Sequence, residues 1–200
     1  MSSETLGEYL RSIRFYIAFM AVFFLFSIAV GYTGMFNSFF ENPSKFLKKI
    51  SSFIDMPHIP PWTVFLLFFA LIFLNNTLTC FLAIFTGPLI GIFPIFSVFL
   101  NGGLIGWFAR EYDEFVFILI LPHGVFEIPA FLISTAIGLR LAREVFKPAD
   151  ERELKVELGR GLYVFVRLIV PLLLIAALIE SSHIVISYYV STIIGNMSAS

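Results

Sequence analysis

Charge is scarce in this chain. Of its 200 residues, 13 are Lys or Arg and 14 are Asp or Glu, so charged residues make up 14% against 58% hydrophobic ones. A soluble domain of this length needs more charge than that to cover its surface, so a water-soluble globule is excluded. Cysteine is nearly absent. Cys80 stands alone within an apolar run, so no intramolecular disulfide can form and cysteine usage marks no redox compartment. Neither sign of charge dominates: the formal net charge is -1, and nothing in it attracts nucleic acid. Strong catalytic signatures are missing too. There is no HExxH or CxxC, no phosphate-cradling glycine loop, no GxSxG elbow and no paired-aspartate signature of an intramembrane protease.

What is present points to lipid. The mean hydropathy is +0.92, and 26 residues are Phe, a side chain at ease against acyl chains and hazardous on a wet surface. A membrane span needs about 20 mostly apolar residues, because a rise of about 1.5 Å per residue must cross about 30 Å of hydrocarbon. Five stretches qualify: Phe15 to Thr33, Trp62 to Thr86, Pro88 to Ala109, Phe115 to Leu141 and Gly161 to Ser181. The first is long for a signal-peptide core and has no clear small-x-small cleavage site, so it reads as a retained span. Open strands would leave backbone groups unpaired in lipid. The expected fold is therefore all-α: one integral membrane domain over residues 1–200, a helix bundle of about five transmembrane helices. A further apolar piece, Ile184 to Ile194, is too short to cross alone. It either extends the fifth helix after a break or lies in the interface, and six spans is the alternative count.

The connections add detail. Between the first two spans, Phe46, Leu47, Ile50, Phe53 and Ile54 recur at helical spacing among Lys45, Lys48 and Lys49, which predicts an amphipathic interfacial helix over about 44–55. Pro57 to Pro61 stops it, and Trp62 anchors the next span at the headgroups. Spans two and three are joined tightly at Thr86-Gly87-Pro88, where Pro88, Gly91 and Pro94 predict irregular backbone. Orientation follows from Lys and Arg. With a cytoplasmic N-terminus, the inner face receives Arg11, Arg14, Arg140, Arg143, Lys147, Arg152, Lys155 and Arg160, and the outer face Lys45, Lys48, Lys49 and Arg110. Eight against four places the protein in the cell membrane, multi-pass, with its N-terminus in the cytoplasm. Lys147 to Arg160 reads as a short charged helix with a solvated face, or a docking surface for a cytosolic partner.

Polar residues inside the spans are the candidates for function. A charge at mid-membrane costs roughly 2.5–3.5 kcal/mol on insertion scales. The candidates are Asn75 and Asn76 in span two, Asn101 in span three, His123 and Glu127 in span four, and Glu180 with His183 at the end of span five. His123 and Glu127 are four residues apart and so share one helical face. Depth along each span allows Asn75, Asn76, Asn101, His123, Glu127 and Glu180 to meet in one polar intramembrane pocket. The plain alternatives are asparagines acting as interhelical hydrogen-bonding glue and a His123–Glu127 pair that only fixes packing. His123 and Glu127 are the candidate acid/base residues if there is catalysis. No organic cofactor is expected. A divalent metal on His123, Glu127, Glu180 and His183 is a candidate from ligand type, although the spacing is generic.

The stretch Leu121-Pro122-His123-Gly124-Val125-Phe126-Glu127-Ile128-Pro129-Ala130, continuing to Gly138, resembles the signature of the stage II sporulation protein M family. Asn75-Asn76, Asn101-Gly102 and Ala177-Leu178-Ile179-Glu180 fall where that family carries similar residues, and the resemblance runs from about Trp62 to Ser181. It implies a polytopic membrane protein of the kind that, in spore-forming bacteria, anchors and organises a complex with two cell-wall-degrading partners during engulfment. Relatives occur in bacteria and archaea that never sporulate, some near exporter genes. Three functions follow, in this order: a scaffold or membrane subunit of a larger complex, with protein partners or a homo-oligomer in the lipid bilayer; a transporter or exporter component; and an intramembrane enzyme or metal-binding protein using His123 and Glu127.

Overall fold

The first helix begins at a polar cap, not in an apolar run. In the computed structural model, which describes residues 5–35, 37–39, 59–111 and 115–198, Thr5 Oγ1 accepts from the Glu8 N–H at 3.3 Å and Glu8 Oε2 accepts from the Thr5 N–H at 2.8 Å. This reciprocal capping box satisfies two donors that a helix start otherwise leaves open, and it sets α1 at Leu6–Ser12. Ile13, fully buried, ends α1 and immediately precedes α2 (Arg14–Tyr32).

The remaining elements are α3 (Pro61–Phe85), α4 (Ile92–Glu111), α5 (Phe115–Val145), a 3-10 turn (Ala149–Glu151), α6 (Leu154–Val164), one π turn (Phe165–Ile169) and α7 (Val170–Ser198). Among the described residues all regular structure is helical, and five helices are long and apolar enough to cross a membrane. Proline helps to place the ends. Pro61 occupies the first position of α3, where its missing N–H costs nothing, and Pro94 sits in the first turn of α4. Pro122 and Pro129 lie inside α5, which runs through both; each removes the donor for the carbonyl four residues earlier.

Several boundaries differ from those expected. The third apolar stretch enters its helix at Ile92, not Pro88, because Thr86 to Gly91 form a turn in which Ile90 (φ 61°) and Gly91 (φ 67°) are both left-handed. The irregular backbone is therefore a compact turn. Ile184 to Ile194 continues α7 with no break after Ser181. The charged segment after α5 splits into the 3-10 turn and α6. The amphipathic helix expected over 44–55 lies outside the described residues.

α5 is the axis of the bundle. It packs on α2, α3, α4 and α7, and 56% of its apolar window is buried against 11% for α3. Two seams bring backbones close. Along α2 and α4, a Cβ added at Gly31 would fall on the Gly103 carbonyl, and one at Gly106 on the Ile28 carbonyl. Where the Thr86–Gly91 turn meets α5, Gly87 and Gly138 approach so closely that neither could carry a side chain. Small residues at such crossings are how membrane helices gain packing when lipid supplies no hydrophobic drive between them. Outward-facing apolar residues complete the picture, among them Leu67, Leu71, Leu74 and Leu78 in a helical stripe on α3.

Among the described residues, ion pairs gather at one end of the bundle. Tyr9 of α1 donates to Glu157 Oε1 at 3.0 Å, and Glu157 also meets Arg140 at 3.4 Å and Arg160 at 3.5 Å. Glu144 contacts Lys147 at 2.7 Å and Arg140 at 4.0 Å and accepts from the Glu153 N–H at 3.4 Å. Both carboxylates are buried, with side chains 2–3% exposed. The solvated face expected over Lys147 to Arg160 is therefore folded inward at Glu157, which pins α1 and α6 to the end of α5. Burial, followed by the charge and hydrogen bond of Glu157, holds the Tyr9 phenol well above its ordinary range.

Candidate functional site

The polar residues of the bundle collect around α5, in the stretch before its most buried segment. His123 and Glu127 sit one turn apart on one face of α5, with the buried Gly124 between them. α7 packs against α5 and brings Glu180 to the same place. One ligand-capable atom from each of His123, Glu127 and Glu180 lies within 4.8 Å of the others, and all three residues are half-buried. Arg140 is 13 residues beyond Glu127 on the same helix, about 20 Å at the helical rise, so the charged end of the bundle does not reach this group. Among the described residues, no Lys or Arg forms an ion pair with Glu127 or Glu180.

The cluster opens into a cavity of about 300 Å³ bordered by Ile72, Asn75 and Asn76 of α3, Asn101, Leu104, Ile105 and Phe108 of α4, His123, Gly124, Glu127 and Ile128 of α5, and Glu180 of α7. A smaller space of about 70 Å³ adjoins it, shares the three asparagines and Glu127, and extends to Thr79, Cys80, Phe131 and Leu173. The sequence-expected pocket residues Asn75, Asn76, Asn101, His123, Glu127 and Glu180 thus all border one space. His183 flanks His123 but stands outside the group that one ion could touch.

The asparagines do less bridging than interhelical glue would. Asn75 Nδ2 donates to Asn76 Oδ1 at 3.2 Å, within α3, and Asn101 Nδ2 donates to the Ser97 carbonyl at 2.8 Å, within α4. Only Asn76 reaches towards another helix, lying beside the Glu127 carboxylate of α5. Thr79 Oγ1 donates to the Asn75 carbonyl at 2.9 Å, which steadies that turn of α3. The ring atoms His123 Nδ1 and His183 Nδ1 are buried with no hydrogen-bond partner, although buried nitrogens of this kind are normally satisfied.

Some residues at the cavity do not stand out in the sequence. Thr79, Cys80, Ile105 and Phe108 are small or apolar residues in apolar helices, and only packing puts them there. The Arg140–Glu144–Glu157 network carries a local signal in its three- and four-residue spacings, but its long-range half, between α5 and α6, has none. Chemically, the cluster offers two oxygen acids and one imidazole in a largely apolar surround. Such a group needs protons or a cation to neutralise it.

A family model described as Stage II sporulation protein M matches residues 20–182. That range contains every pocket residue and α3, α4 and α5 entire, and it takes in most of α2 and the first part of α7. No curated protein and no solved structure matches the chain.

Proposed function

We propose that this chain, which belongs to the stage II sporulation protein M family, is the membrane subunit of a larger assembly, and that its own contribution is a polar ligand-binding pocket within the bilayer. It is a multi-pass membrane protein, with five helices able to cross. The observation that supports the pocket is the meeting of His123 and Glu127 with Glu180 from a different helix, within 4.8 Å. A passive anchor would be held at least as well by apolar side chains there, because acids buried in hydrocarbon cost several kcal/mol unless something compensates them. Partners or a second copy have room on α3, the least buried of the spans.

The exporter reading is weaker. In that reading irregular backbone near Gly87 to Pro94 and the pocket together carry a substrate or proton, and none of residues 87–94 borders the cavity. The orientation belongs to the same proposal. The contacts Tyr9–Glu157 and Arg143–Tyr16 gather the N-terminus and the basic Arg140 to Arg160 segment at one end, which the positive-inside rule assigns to the cytoplasm. A C-terminal reporter would then register the outer side.

Complementation tests the reading. A strain lacking the protein is supplied with the wild type or with Glu127→Gln, and both the deletion phenotype and the membrane level of the protein are measured. The expected outcome is failure to complement at a normal membrane level. Full complementation by Glu127→Gln would return the protein to a purely passive scaffold.

A further inference from the structure

The group at His123, Glu127 and Glu180 carries more information than polarity. Two carboxylates give it a formal charge of -2 when ionised, and no Lys or Arg among the described residues pairs with either. Two protons or one divalent cation neutralise both. A monovalent ion leaves a net charge in low dielectric, and an anion is repelled. The imidazole narrows the choice further. Mg²⁺ and Ca²⁺ prefer oxygen donors throughout, whereas one nitrogen with two carboxylates suits zinc, manganese and ferrous iron. Cys80 borders only the smaller space and is not in the group, so no soft sulfur donor shifts the preference towards copper(I).

Geometry agrees. Ligand atoms about 2.0–2.2 Å from a tetrahedral ion are about 3.4 Å apart, and here they lie within 4.8 Å. A shift of roughly an ångström in half-buried side chains closes the shell. Two further observations are independent of the acids. The ring nitrogen His123 Nδ1 is buried without a partner, and the adjoining cavity of about 300 Å³ has room for water. Asn76 borders the cavity beside Glu127, placed to orient that ligand as outer groups do in metal sites.

We infer that His123, Glu127 and Glu180 bind one divalent transition-metal ion inside the bilayer, with at least one coordination position open to the cavity. The inference rests on the pocket reading above and specifies its ligand. His183, beside His123 but outside ligand distance, flanks the site without ligating.

The full chain, carrying no polyhistidine tag, is purified in mild detergent, stripped with a chelator, and dialysed in turn against zinc chloride, manganese chloride and ferrous ammonium sulfate under nitrogen. Metal content by mass spectrometry is expected to be about one ion per chain for at least one of them. His123→Ala, Glu127→Gln and Glu180→Gln should each weaken binding at least tenfold, Asn76→Ala about tenfold, and His183→Ala and Glu157→Gln hardly at all. X-ray absorption at the edge of the bound metal, on wild-type protein, should show imidazole scattering with oxygen neighbours, a readout that does not depend on any variant folding. Substoichiometric metal in the wild type, or an absorption spectrum without imidazole, overturns the site. The two readings fail separately. No bound metal together with failed complementation by Glu127→Gln removes the metal and keeps the pocket. Bound metal with full complementation keeps the site and removes its proposed role.

Discussion

Glu144 and Glu157 at one end of the bundle, and Glu127 and Glu180 about 25 Å along α5, are two pairs of acids drawn away from water, and the fold treats them differently. The first pair is surrounded: Arg140, Lys147 and Arg160 supply cations, and Tyr9 and the Glu153 N–H supply hydrogen bonds. The second pair has one imidazole, one asparagine and a cavity. Where the chain provides the counter-charge, carboxylates tie α1, α5 and α6 together. Where it provides none, the site is left open to something from outside the chain. Two acid pairs of similar composition thus differ by the company they keep: one is a clamp, and the other is the proposed site for a metal ion.

That contrast can be broken by substitution, with thermal unfolding in detergent as the measure. Arg140→Met has the largest expected effect. It leaves two buried carboxylates short of a cation, and removing one partner of a buried pair costs about 3 kcal/mol or more, so the midpoint should fall by many degrees. Tyr9→Phe comes next, at about 1.5–3 kcal/mol for a buried hydrogen bond to a charged group. Its pH dependence checks the assignment. Because the folded phenol is raised above its ordinary value of 10.0, the contact contributes fully below about pH 10 and is lost as pH rises above it. The difference between wild type and Tyr9→Phe should shrink there. Lys147→Ala should cost less than either, because Lys147 is partly exposed and Glu144 keeps Arg140 and the Glu153 N–H.

Glu127→Gln in metal-free protein should be smallest of all and of opposite sign. Replacing an uncompensated acid with a neutral isostere is expected to leave the midpoint unchanged or raise it slightly. A large destabilisation by Glu127→Gln without metal would mean that Glu127 is part of a clamp as well. With metal present the order should invert, because the wild type alone gains stability from binding. That gain should diminish as pH falls, since the ligands must lose protons to bind.

Much of this architecture is legible in the sequence. Spans are legible because crossing hydrocarbon demands about 20 apolar residues whatever the neighbours are, and His123 with Glu127 is legible because a spacing of four places both on one helical face. The turn from Thr86 to Gly91 was harder. A left-handed Ile90 is disfavoured locally, and what accompanies it is the close approach of Gly87 to Gly138 on another helix. The buried charges at Glu144 and Glu157 were harder still. Local pattern reads Lys147 to Arg160 as a wet face, and Asp150 to Glu153 with Lys155 are exposed, but the docking of Tyr9, 148 residues away in sequence, goes with Glu157 turning inward.

By itself, then, the sequence of this protein determined that it crosses a membrane as about five helices and which polar residues lie within the spans, because lipid imposes those conditions one segment at a time. Which of those residues meet was decided only by the tertiary structure. Glu180 joins His123 and Glu127 because α7 packs on α5, and Arg140 does not, because it sits at the other end of the same helix. Whether a buried carboxylate becomes a clamp or an open site depends on the charge that packing brings beside it.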